Sequence, residues 1–134
     1  LGQQFIRQFG LVIGRVAQVT VHDCAGRHVL ADFRGVPAHR LTDAVALEAQ
    51  LIAAARAAGA HVLSAHFHLF GEGSGVTGVV MLSESHISIH SWPEHGFAAL
   101  DIFMCGAAQP ELALASLRDA LAPASVNVTT VARG

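Results

Sequence analysis

The run of alternating residues from Val76 to Met104 constrains this chain most. It contains three strand-length segments, VTGVVML at 76–82, HISIHSW at 86–92 and FAALDIFM at 97–104, joined by short loops. In the middle segment His86, Ser88 and His90 fall on one face and Ile87 and Ile89 on the other. That period of two marks a strand with one buried face. Pro93 and Gly96 bracket the turn before the third segment.

The remaining elements follow from the same reasoning. Residues 27–34, 61–70 and 125–131 read as further strands. Thr42 is the expected N-cap of a helix running to about Ala58, with Asp43 in its first turn, Leu47, Leu51 and Ala54 on one face, and Gly59 at its C-terminal end. Pro110 opens a second helix, ELALASLRDAL. The expected fold class is α+β: a two-layer sandwich of a mainly antiparallel sheet with two main helices on one face. A length of 134 residues gives one domain, assigned to residues 25–134, after an N-terminal extension of uncertain structure at 1–24.

Composition excludes several classes of function. Hydrophobic residues make up 52% and charged residues 13%, which rules out a disordered chain. The same balance points to surface hidden between subunits, so a homo-oligomer is expected, a dimer first. No apolar run reaches the roughly 18 residues of a membrane span. The net charge of −2, with the basic residues spread from Arg7 to Arg133, provides no polycation for nucleic acid. Two cysteines, Cys24 and Cys105, form no disulfide framework, and residues 1–18 lack the pattern of a signal peptide. A cytoplasmic protein is expected. All eight basic residues are arginine. Without lysine, a Schiff base to pyridoxal phosphate cannot form, and a P-loop lacks its lysine.

Nine histidines remain to be explained. His66 and His68 share one strand face, as do His86 and His90. If the two strands are neighbours, these four could ligate a metal. No Cys-x-x-Cys or His-Glu-x-x-His supports that, and no metal is expected. Glu84-Ser85-His86 sits at a junction between strands. A serine there can attack the preceding carbonyl, and loss of the resulting ester by β-elimination leaves a dehydroalanine that hydrolyses to a pyruvoyl group. Such a group is an electron sink made from the chain itself. Simple alternation does not put Ser85 and His90 on one face, so a bend at the junction is required.

The stretch SESHISIHSWPEHGFAALDIFMCG at 83–106, with GRHVLADF at 26–33 and SAHFHLF at 64–70, resembles the small prokaryotic pyruvoyl-dependent S-adenosylmethionine decarboxylases. The resemblance implies self-cleavage between Glu84 and Ser85, with Ser85 becoming the pyruvoyl group that forms a Schiff base with S-adenosylmethionine. It implies that His90 assists processing, that Cys105 protonates the substrate carbon after carbon dioxide leaves, and that Glu94 holds the ribose. Phe70 is the candidate for stacking on adenine, and Phe70 or Trp92 for facing the sulfonium. The implied product is the aminopropyl donor for spermidine synthesis. Three departures stand out. Thr77 replaces a serine and still offers a hydroxyl for processing, the GEGSG loop is one residue longer than in many relatives, and Ser91 replaces a threonine. The alternatives are a pyruvoyl-dependent ornithine or arginine decarboxylase, or a non-catalytic protein binding a nucleoside or a metal.

Overall fold

The computed structural model describes residues 24–134. The extension expected at 1–24 lies, apart from Cys24, outside the described residues. Among the described residues six strands form one antiparallel sheet: β1 (Gly26–Arg34), β2 (Val62–Leu69), β3 (Val76–Leu82), β4 (Ser85–Trp92), β5 (Phe97–Cys105) and β6 (Ser125–Arg133). Their spatial order is β2-β3-β4-β5-β1-β6. Helices α1 (Ala44–Ala57) and α2 (Pro110–Leu121) pack on one face, giving the expected two-layer α+β sandwich.

Consecutive strands β2 to β5 form a meander, the natural product of their short connections. The first strand behaves differently. β1 is inserted between β5 and β6 and pairs with both, Val29 opposite Ile102 on one side and Thr130 on the other.

The alternation seen in the sequence separates the two sheet faces. Val29, Ala31, Phe33, Val80, Ile87, Ile89, Leu100, Ile102 and Met104 point into the core. Leu47, Leu51, Ala54 and Ala55 of α1 and Ala113, Leu117 and Leu121 of α2 cover them. The opposite face has no covering layer among the described residues. It carries His28, His66, His68, His86 and His90, Ser88 and Asp101, together with exposed Leu30, Met81 and Val131.

The start of α1 corrects the sequence reading by one residue. Asp43, not Thr42, is the N-cap; its backbone is extended and its carboxylate accepts from Ala46 N–H at 3.0 Å. Thr42 instead donates to His39 O at 3.4 Å. The helix ends as its glycine implies. Gly59 has φ +79°, and the amides of Gly59 and Ala60 donate to Arg56 O and Ala55 O, both at 3.0 Å. That left-handed turn satisfies the last carbonyls of the helix and favours glycine.

One buried polar side chain ties the layers together. Ser91 Oγ accepts from Val76 N–H at 2.9 Å and donates to Leu41 O at 2.8 Å. It links β4, β3 and the segment entering α1.

Candidate active site

The β3–β4 connection is a two-residue hairpin, Ser83-Glu84, and three hydrogen bonds fix it. Ser83 N–H donates to His61 O at 2.9 Å, and His61 N–H donates to Glu84 Oε2 at 2.9 Å. Cys105 N–H donates to the backbone carbonyl of Glu84 at 3.0 Å. The next residue, Ser85, has φ +130°. A side chain rarely adopts that conformation, and such outliers cost about 1–3 kcal/mol and gather at functional sites. Ser85 Oγ lies 3.5 Å from Cys105 Sγ. The carbonyl before Ser85 is thus polarised by a backbone donor, and the hydroxyl beside it faces a thiol.

The remaining candidates gather at the other end of β4. Thr77 Oγ1 is hydrogen-bonded to His90 Nδ1 at 3.1 Å. Together with Phe70, Gly75, Ser91, Trp92 and Glu94 they line a depression of about 310 Å³. Glu94 sits on the 3-10 turn Pro93–His95 that follows β4. Trp92 stacks on Phe97 with ring centroids 5.2 Å apart, and Arg34 lies over the Phe97 ring at 4.6 Å. Phe70 is 65% exposed, a ring with an open face.

The structure therefore places the sequence candidates in two groups. Glu84, Ser85 and Cys105 meet at one end, and Phe70, Thr77, His90 and Glu94 at the other. Ser85 is opposite Met104 and His90 opposite Ala99, five residues further along β4. At about 3.3 Å per residue they are about 17 Å apart. Ser85 has a positive φ at the start of β4, and this does not shorten that separation.

The histidines are also arranged differently from the expectation. The strands carrying His66 and His68 and carrying His86 and His90 are not neighbours, because β3 lies between them. His66 is opposite Val79 and His68 opposite Thr77, while His86 is at the far end beside Ser85. Among the described residues the cluster of donors with metal-like spacing is His28, His86 and Asp101, whose ligand atoms lie within 4.8 Å of one another. Sequence reasoning missed His28 and Asp101 as partners of His86. They lie far apart in the chain, and the register of β1 against β5 brings them together.

The two-layer α+β fold thus sets a strained serine beside a thiol at one hairpin. The sequence model of the S-adenosylmethionine decarboxylase family matches residues 27–134. An S-adenosylmethionine decarboxylase proenzyme of Methanococcus vannielii is 41% identical over 110 residues, covering 81% of this chain and 89% of that one. S-adenosylmethionine decarboxylase proenzyme 2 of Halalkalibacterium halodurans is 40% identical over 113 residues, covering 84% and 88%. The crystal structure of the adenosylmethionine decarboxylase from Aquifex aeolicus superposes with a TM-score of 0.76 at 36% identity, covering 84% of this chain and 92% of that one. The chain belongs to the S-adenosylmethionine decarboxylase family.

Proposed function

We propose that the chain is a proenzyme that cleaves itself between Glu84 and Ser85 and then decarboxylates S-adenosylmethionine. The observation that carries this reading is Ser85 itself: its strained backbone, its Oγ 3.5 Å from Cys105 Sγ, and the Cys105 N–H on the carbonyl it would attack.

Ser85 Oγ adds to the Glu84 carbonyl carbon while Cys105 N–H holds the oxygen that gains charge. The C–N bond to Ser85 then breaks, the hydroxyl proton ends on the freed amine, and an ester remains. His90 takes the Ser85 α-proton, the Cβ–O bond breaks, and Glu84 leaves as a carboxylate. Addition of water to the dehydroalanine releases ammonia and leaves a pyruvoyl group. When present, that group supplies a carbonyl electron sink for decarboxylation, which a chain without lysine cannot obtain from pyridoxal phosphate. Cys105, already beside residue 85, is the proton donor to the substrate carbon. Phe70 and Trp92 offer aromatic faces to the adenine and the sulfonium, and Glu94 a carboxylate to the ribose. These last three residues favour a nucleoside substrate over ornithine or arginine.

His90 is about 17 Å from Ser85 along β4, far beyond the roughly 3 Å a base requires. The reading therefore includes a homodimer. A twofold axis crossing the uncovered sheet face near Ser88 places the Ser85 end of one copy against the His90 end of the other. Exposed Leu30, Met81 and Val131 are the apolar surface such a contact would bury.

The test is intact mass. Incubated wild type should resolve into fragments of residues 1–84 and 85–134, the second blocked to Edman sequencing, and Ser85→Ala should remain one chain. Wild type that stays whole refutes the proposal.

A further inference from the structure

A strained peptide persists only where its surroundings over-determine it. Both sides of Ser85 are held by side chains that the mechanism above leaves without a task. On the N-terminal side the Glu84 carboxylate accepts from His61 N–H at 2.9 Å. On the C-terminal side His86 Nε2 is 3.2 Å from Asp101 Oδ2, and His28 Nε2 bonds the other carboxylate oxygen. The register explains this pairing. Phe103 is opposite His86 on one side and His28 on the other. Both imidazoles flank its ring, with centroids 6.0 Å and 5.1 Å away, and both reach diagonally to Asp101.

The spacing of these donors would suit a metal, but Arg133 argues for a hydrogen-bonded chain. Its guanidinium, lying over the Phe103 ring, is 3.3 Å from His28 Nδ1. Arginine can only donate, so Nδ1 accepts and the His28 proton sits on Nε2, directed at Asp101. A metal ligand needs that nitrogen bare. Asp101 thus accepts from both imidazoles.

We infer that Glu84–His61 and His86–Asp101–His28 form a two-sided clamp whose task is to hold the strain at Ser85 and so drive self-cleavage. This rests on the self-cleavage proposed above. Glu84, His86, Asp101 and His28 are positioning residues here. Conversion of the Glu84–Ser85 amide to the ester relieves the strain, so the clamp biases that equilibrium toward the ester.

The experiment isolates that step. In a His90→Ala chain the ester forms but does not eliminate. Hydroxylamine then cleaves it to a Glu84 hydroxamate and a fragment beginning with Ser85, in proportion to the ester present. Adding Asp101→Asn or Glu84→Ala should lower the yield about tenfold, and Glu84→Gln, which keeps one acceptor oxygen, should recover most of the loss from Glu84→Ala. The Glu84 carboxylate bond is on an exposed turn, so this arm does not depend on the sheet-face cluster folding correctly. Equal hydroxylamine yields with and without these changes, in a protein whose wild type cleaves, overturn the clamp alone. Wild type that stays whole, with a His90→Ala chain inert to hydroxylamine, overturns the clamp and the self-cleavage together.

Discussion

Two uncleavable variants should restore each other. In the proposed mechanism Ser85→Ala lacks the nucleophile, and His90→Ala lacks the base. The two positions are five residues apart on one extended strand, opposite Met104 and Ala99 respectively. That places them about 17 Å apart, whereas proton transfer needs contact at about 2.6–3.2 Å. No rotamer of His90 spans the gap, so under the proposed mechanism the base comes from another copy. In a mixed dimer the serine of the His90→Ala chain meets the histidine of the Ser85→Ala chain at one of the two sites. Random assortment makes half the dimers mixed, so about one quarter of all sites should be whole. The assay is co-expression of the two variants with different tags. About half of the His90→Ala chains should be cut, the Ser85→Ala chains should all stay whole, and decarboxylation should recover to about one quarter of wild type per subunit. Mixed dimers, demonstrated by tandem tag capture, that contain only uncut chains would refute the two-copy site. Wild type that cleaves as a demonstrated monomer would do so as well.

Three further outcomes are expected. Cys105→Ala should still split into two fragments, because the work proposed for it begins after carbon dioxide leaves. Its turnover should drop by about 10²–10⁴-fold, with alanine accumulating at the N-terminus of the smaller fragment as misdirected protonation inactivates the enzyme. Ser91→Ala should destabilise the fold by about 2 kcal/mol in denaturant titration, since it strands the Val76 N–H and Leu41 carbonyl away from water; an unchanged midpoint would show that the bridge across the layers contributes nothing. Chelation should leave decarboxylation unchanged, and stoichiometric zinc whose removal abolishes activity would reinstate histidine ligation.

The sequence by itself determined the local structure, because the residues that decide it are neighbours in the chain. Ile87 and Ile89 against His86, Ser88 and His90 announced both a strand and which face would be buried. Gly59 announced the end of the first helix, since only a left-handed turn there satisfies the last carbonyls. The Glu84-Ser85 junction stood out from its place between two strands, whereas Cys105 was singled out only through the family resemblance. The N-cap was missed by one position because Thr42 and Asp43 are both good caps and only backbone geometry chooses between them.

Register and strand order were decided by the tertiary structure alone. Nothing local to GRHVLADF shows that β1 inserts between β5 and β6. That placement follows from how the whole sheet buries its apolar face against two helices. It carries His28 to Asp101, and with it the cluster beside Ser85. β3 likewise separates the strands of His66 and His68 from those of His86 and His90, which dissolves the histidine set the sequence suggested. The distance between Ser85 and His90 has the same origin: a motif compact in sequence is long in space once it is extended, because a strand advances about 3.3 Å with every residue.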